Sequence, residues 1–337
     1  MIPNTTETHH WVERLKNAIR DPLALCRQLE INPADLPGGL AGLEAGHKLF
    51  KTLVPQPFID LMQKGNPHDP LLLQVLPLGA ESLTTQGFVT DPLQEQDYNP
   101  LPGLIHKYKS RVLLTTSGAC AINCRYCFRR HFPYADNSLS TSKMPAILNY
   151  LQQHPSVNEV IFSGGDPLAT PDSRLAAQVQ QLETLPQLSR LRLHTRLPVV
   201  IPSRINSEFL NWATSTRLKV IMVLHINHPQ EIGSELIQAV QRLKEANILL
   251  YNQNVLLHNI NNQASILAEL SEALFTHGIM PYYLHAFDPV AGASHFSVDD
   301  QQARQIYAEL LAILPGFLVP KLVREYPDKP AKTPLGW

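Results

Sequence analysis

From residue 111 to residue 285 the sequence repeats one unit, a short apolar run followed by a helix-length amphipathic stretch. The runs are RVLLTT (111–116), EVIFSG (159–164), RLRLHT (190–195), LKVIMVLH (218–225), ILLYNQNVLL (248–257) and IMPYYLH (279–285). Between them lie SKMPAILNYLQQH, DSRLAAQVQQLETL, PQEIGSELIQAVQRLKEAN and ASILAELSEALFTHG. Strands joined by helices pair in parallel through right-handed crossovers. Two architectures satisfy that rule: a doubly wound sheet, and a barrel whose active face lies at the strand C-termini. Polar or special residues follow nearly every run, which favours the barrel. Six units rather than eight make it a partial one. The expected fold class is α/β, a partial (β/α)6 TIM-like barrel with an N-terminal helical extension.

The first hundred residues follow another pattern, rich in proline and in short amphipathic pieces. HHWVERLKNAIRD and LALCRQLEI have helical periodicity, whereas LPGGLAGLEAG and KGNPHDP carry breaker signals. The loop TDPLQEQDYNPLPGLIH ends the segment. The expected division is residues 1–105 as a mainly helical extension and 106–337 as the core. With 44% hydrophobic and 17% charged residues, a substantial core can be buried. A formal net charge of -1 gives no global footprint for nucleic acid or an anionic membrane. The N-terminus lacks a basic region followed by an apolar stretch, and no apolar run approaches the ~18 residues of a membrane span. A cytoplasmic location is expected.

The chain has 4 cysteines, and Cys120, Cys124 and Cys127 fall together in GACAINCRYCFRRHFP directly after the first strand. This spacing does not suit a disulfide framework, and metal binding in a reducing compartment fits better. Thiolates bind zinc and iron–sulfur clusters alike. His131 could complete a zinc site. Without it, three thiolates leave one metal position open. Cys26 stands apart in a helical segment and reads as a structural thiol.

Two further stretches bear on function. In FSGGDPL, after the second strand, Gly164 and Gly165 permit close backbone approach and Asp166 could accept from an ammonium group. REYPDKPAKTPLGW closes the chain, and lysines so placed are ordinarily solvated.

C-x3-C-x2-C after the first barrel strand resembles the radical S-adenosylmethionine (SAM) superfamily, in which three cysteines hold a [4Fe–4S] cluster and SAM takes the open iron. The wider pattern resembles the pyridoxal 5′-phosphate (PLP)-dependent lysine 2,3-aminomutases of that superfamily. It runs from HKYKSRVLL through SGGDPL, RLPVVIPSRI, LHINHP, NQNVLL and DPVAGASHF to AKTPL, about two-thirds of the chain. CRYCFRRHFPY and the short C-terminus are most similar to the branch that makes (R)-β-lysine for modification of translation elongation factor P.

The resemblance implies roles for individual residues. Cys120, Cys124 and Cys127 would hold the cluster. Gly164, Gly165, Asp166, His225 and Gln253 would contact SAM. Lys332 would hold the PLP aldehyde, and Arg111 and Lys107 the PLP phosphate. Tyr126 stands where the family often has histidine. Arg129 would clamp the substrate α-carboxylate, and Asp288 and Glu325 its side-chain ammonium. PDKPA replaces the family's Gly-rich run before the PLP lysine. The implied partners are L-lysine, a flavodoxin-like electron donor, elongation factor P and its lysyl-transferring enzyme. Three alternatives stay open: an aminomutase acting on another amino acid such as glutamate, a non-catalytic iron–sulfur or zinc-binding protein, and a radical enzyme acting on RNA, which the near-neutral charge weakens.

Overall fold

The computed structural model describes residues 5–335, and the side chains of 10–335. Nine strands form one sheet in strict sequence order. They are β1 (Leu104–Tyr108), β2 (Arg111–Ser117), β3 (Glu159–Gly164), β4 (Arg190–Thr195), β5 (Lys219–Leu224), β6 (Leu249–Val255), β7 (Met280–His285), β8 (Lys321–Arg324) and β9 (Thr333–Pro334). Neighbours from β2 to β8 are parallel, and β1 and β9 add antiparallel edges. A doubly wound sheet would reverse its order at a switch point. This sheet never does, and it is the partial barrel.

Crossovers pass through the helices Met144–Gln152, Asp172–Leu182, Ser207–Ser215, Ser234–Glu245, Ala264–Thr276 and Asp300–Ile313. Each presents an apolar stripe to the sheet. In Ser234–Glu245 the buried residues are Leu236, Ala239, Val240 and Leu243, the three-and-four spacing of one helix face. The helices at 207 and 300 begin at side-chain caps, Asn206 accepting from Phe209 N and Asp299 from Gln302 N.

β1 begins at Leu104, so the change of pattern expected at 105/106 falls inside a strand. The N-terminal segment also shares its core with the barrel. One apolar cluster runs from Trp11, Leu25, Leu43 and Phe58 to Leu114, Phe162, Leu193 and Met222.

LPGGLAGLEAG, which carries breaker signals, forms most of the helix Gly39–Leu49. The glycines serve packing. A Cβ on Gly46 would lie 2.8 Å from the carbonyl oxygen of Leu78, and one on Gly42 would lie 3.1 Å from Gly79 Cα. Only glycine lets the helix lie this close to the 78–79 backbone, and the contact offsets its poor helix propensity.

Candidate active site

The barrel interior holds a cavity of about 410 Å³, and every residue to which the family resemblance gives a role lines it. Most come from the C-terminal ends of strands: the cysteine loop after β2, Gly164 to Asp166 at the end of β3, His225 after β5, Asp288 after β7 and Glu325 after β8. Arg111 opens β2, and Lys107 lies beside it on β1. The cavity therefore runs along the barrel axis, with cationic residues and thiols separated by the length of β2, roughly 20 Å.

The cysteine loop is anchored by the N-terminal segment. Arg125 is fully buried, and its Nε donates to Glu81 Oε1 at 2.8 Å. Its Nη1 donates to the Phe50 carbonyl at 2.6 Å, and its Nη2 to the Gly46 carbonyl at 3.0 Å and to Glu81 Oε2. Arg130 Nη2 reaches the same Glu81 oxygen at 2.7 Å. Glu81 thus neutralises two buried guanidiniums flanking the thiols, and losing it would leave both uncompensated. Glu81→Ala should cost about 3–5 kcal/mol of stability, read as a lower urea midpoint. A loss below about 1 kcal/mol, the scale of an exposed pair, would show that water reaches these groups.

All 4 cysteines are free thiols. Burial pushes Cys120 well above its ordinary value, and burial together with neighbouring Cys124 takes Cys127 up to about 11. Among the described residues no three metal-ligating side chains converge on one ion. In the cluster that the family resemblance implies, each cysteine would bind a different iron. His131 is turned away: its Nε2 contacts the Ala291 carbonyl at 3.1 Å, and it does not line the cavity. The zinc alternative loses its fourth ligand.

Gly164 and Gly165 seat the β3 turn against the start of the cysteine loop. Gly164 has φ +120, and a Cβ there would lie 2.5 Å from the Ser117 carbonyl oxygen. A Cβ on Gly165 would lie 2.5 Å from that of Ala119. Asp166 departs from the expected contact with an ammonium. Its carboxylate accepts from Leu168 N, Thr195 Oγ1, Arg196 N and Leu197 N at 2.6 to 3.0 Å. Four donors occupy the lone pairs of a carboxylate. Asp166 ties the β3 turn to the end of β4 instead.

Arg129 is buried against Glu95, with Nε to Oε2 at 2.7 Å and Nη2 to Oε1 at 2.6 Å, and Nη1 reaches Ser163 Oγ at 3.1 Å. Burial opposes its charge, and the Glu95 carboxylate more than restores it. Nη1 also lies 3.5 Å from the Gly164 carbonyl, so a ligand carboxylate at this edge must displace neutral partners, while the Glu95 side of the fork is held by a charged one. Glu95 escaped the sequence analysis, because it lies 34 residues from its partner.

Lys332, just before β9, is paired with Glu325, which also accepts from Lys107 at 3.3 Å. Burial pushes the Glu325 carboxyl up, but the two ammonium groups outweigh it and hold it down at about 2. Glu325 is thus committed to two lysines and cannot meet a substrate ammonium while Lys332 holds it. Lys107 is committed too, its Nζ donating to the Leu93 carbonyl at 2.8 Å. Arg111, by contrast, has its guanidinium 4.0 Å over the Tyr108 ring and no acidic partner among the described residues. An unpaired cation lining a deep cavity suits a phosphate. A nearby buried atom also lacks a partner: His194 Nε2 makes no hydrogen bond, while its Nδ1 lies 3.3 Å from Gln253 Nε2. The residues present therefore fit a phosphorylated aldehyde held between Arg111 and Lys332.

Among the described residues the Asp288 carboxylate receives no hydrogen bond, its backbone carbonyl accepts from Val290 N at 2.7 Å, and the residue lines the same space. Burial pushes its carboxyl up to about 7, against the pull of Lys332. His225 is held near 3 by burial and by Arg196, so it is neutral; its Nε2 lies 2.9 Å from the Tyr126 hydroxyl. Tyr126 belongs to a buried polar network with Gln74, Arg196 and Asn227.

The radical SAM superfamily model matches residues 114–211, from β2 to the helix after β4. The chain is 49% identical over 331 residues to the L-lysine 2,3-aminomutase of Haemophilus influenzae, covering 98% of this chain and 97% of that one. It is 48% identical over 332 residues to the enzyme of that name from Escherichia coli, covering 98% and 96%. The corresponding Buchnera aphidicola protein is 45% identical over 322 residues, covering 96% and 94%. Among the described residues no helix is long and apolar enough to cross a membrane.

Proposed function

The chain belongs to the L-lysine 2,3-aminomutase family of the radical SAM superfamily, and from that premise we propose that it converts L-α-lysine to (R)-β-lysine. One observation carries the reading: every residue to which the family gives a role lines a single cavity. Cys120, Cys124 and Cys127 would hold the [4Fe–4S] cluster; His225, Gln253 and the Gly164–Gly165 backbone, SAM; Arg111 and Lys332, PLP. When bound, cluster and SAM supply one-electron hydrogen-transfer chemistry, and PLP supplies an aldehyde for the substrate amine. The protein contributes placement and exclusion of water. Arg129, locked by Glu95, would turn its Nη1 from Ser163 Oγ and the Gly164 carbonyl to the α-carboxylate. Asp288 offers a carboxylate to the side-chain ammonium. An acidic substrate would meet repulsion there, which favours lysine over glutamate. The overall isomerisation moves the amino group from C2 to C3 and one hydrogen from C3 to C2.

The decisive assay uses anaerobically reconstituted protein with L-lysine, SAM, PLP and dithionite, followed by chiral chromatography. Appearance of (R)-β-lysine is the expected result. Turnover of glutamate instead, or an intact cluster with no product from either, overturns it.

Asp288 adds a pH signature. The lysine ammonium stays charged to about pH 10, so the carboxylate decides binding. As pH rises through about 7 Asp288 ionises, and kcat/KM for lysine should climb to a plateau. Asp288→Asn should remove that limb and raise KM roughly 10- to 100-fold, the value of a charged hydrogen bond. A limb surviving in Asp288→Asn would assign it to another group.

An aminomutase of this superfamily needs an electron donor, and a flavodoxin-like protein is the donor we propose. We also place the product upstream of elongation factor P, as the residue its lysyl-transferring enzyme attaches, in the cytoplasm. The CRYCFRRHFPY wording around the cysteines supports that branch. Intact-mass measurement of elongation factor P from cells with and without this chain tests it. An unchanged mass defeats the link.

A further inference from the structure

Arg196, just after β4, has no role in the family resemblance above, yet it is bonded to one of the three loop thiols. Its Nη1 donates to Cys124 Sγ at 2.8 Å and to the Tyr126 hydroxyl. Its Nη2 donates to Gln74 Oε1 at 2.6 Å and to Glu231 Oε2 at 3.0 Å. Its side chain is 6% exposed and that of Glu231 is 0% exposed. The rings of Phe58 and Tyr126 lie 5.3 and 5.7 Å from its guanidinium carbon. The backbone N–H of Arg196 is held by Asp166 at 2.8 Å. The guanidinium is thus fixed from several sides, with one donor aimed at a sulfur.

Among the described residues neither Cys120 nor Cys127 has a side-chain donor at its sulfur, Cys127 meeting only the backbone N–H of Arg129, so the charged donor is confined to Cys124. Glu231 is itself committed, its Oε1 accepting from Asn227 N at 2.9 Å and His228 N at 3.1 Å. It faces Arg196 as a fixed negative charge on the side away from the thiol.

We propose that Arg196 sets the reduction potential of the iron–sulfur cluster through its hydrogen bond to Cys124 Sγ, with Glu231 as an opposing charge that moderates the effect. The proposal rests on the reading that the three cysteines hold a cluster. Reduction adds one electron, taken from an external reductant, and part of that charge falls on the ligand sulfurs. A charged N–H donor in a water-poor site stabilises the reduced form more than the oxidised one and raises the potential. Arg196 is therefore a positioning and tuning residue, acting on the substrate through the cluster.

The test is an EPR-monitored redox titration of reconstituted protein, without lysine or SAM, alongside iron analysis. Arg196→Met should shift the reduction equilibrium at least tenfold toward the oxidised form, about 59 mV lower for one electron. Arg196→Lys keeps the charge but not the two-sided grip, and should fall between. Glu231→Gln removes the opposing charge and should raise the midpoint. The opposite signs separate tuning from mere structural support, which predicts the same direction for both sites. A cluster-loaded Arg196→Met with the wild-type midpoint overturns the proposal. If that variant takes up no iron, an unchanged midpoint in Arg196→Lys overturns it. Wild-type protein that takes up no iron refutes the cysteine-loop reading itself, a separate failure visible before any titration.

Discussion

Lys332→Ala should lose β-lysine formation by roughly four orders of magnitude or more, the scale on which enzymes lose a group that bonds covalently in the reaction. The visible absorbance that wild-type protein gains on adding PLP should be absent as well. Both effects follow from position. Lys332 lines the cavity, 19% exposed, and within reach of the Tyr283 ring at 6.0 Å. Its amine is paired with Glu325 and must leave that pair to attack an aldehyde. The same pair supplies an independent readout. Glu325, held down at about 2 from an ordinary 4.5, stabilises the fold fully above its unfolded value, and that stability is lost as pH falls through about 2. Lys332→Ala leaves Lys107 as the remaining counter-charge, so acid unfolding should begin at a higher pH. Wild-type absorbance and turnover in Lys332→Ala would place the PLP amine elsewhere. Loss of turnover with an unmoved acid limb would show that the ion pair does not bear on stability.

Cys127→Ala should abolish the cluster, and with it all turnover. Iron in reconstituted protein should fall to near zero, and neither 5′-deoxyadenosine nor β-lysine should form. With three thiolates and an open position, neither of the other candidates is a spare ligand among the described residues, since Cys26 is buried in the N-terminal helical segment and His131 is turned away. The raised thiols add a pH effect. Iron must displace protons held at about 11 on Cys127 and well above the usual value on Cys120, so loading of the wild type should improve as pH rises. Full iron content in Cys127→Ala would show that another group ligates the cluster. A flat pH profile would show that the thiols are ionised before iron arrives.

Much of the fold was legible because its signals are local. The six runs read from apolar alternation coincide with β2 to β7 to within a residue or two at their ends, since strand residues buried on both faces must be apolar wherever the strand sits. The flanking strands left no such mark. β8 is Lys321–Arg324, too short for a pattern, and β9 is only Thr333–Pro334. The helix Gly39–Leu49 was hidden by glycines whose purpose is to approach another segment. The helix Asp300–Ile313 has amphipathic periodicity, and the units read from the sequence stopped one short of it.

The site divides along the same line. Sequence alone determined which residue types are available and in what order along the chain: three thiols in one loop, a Gly-Gly turn after the next strand, and Lys332 near the end. Their chemistry follows from their identity. Only the tertiary structure decided which of those groups are already committed. Asp166 is saturated by backbone donors, and Glu325 is held by two lysines. Among the described residues the Arg111 guanidinium pairs with no acid, only with the Tyr108 ring, and the Asp288 carboxylate receives no hydrogen bond. Glu81, Glu95 and Arg196, which hold the loop, the substrate arginine and a thiol, meet their partners across 44, 34 and 72 residues. No window of sequence contains such pairs. They exist because the chain closes the barrel and removes water from between them, and a charge in that place must find its partner within the fold.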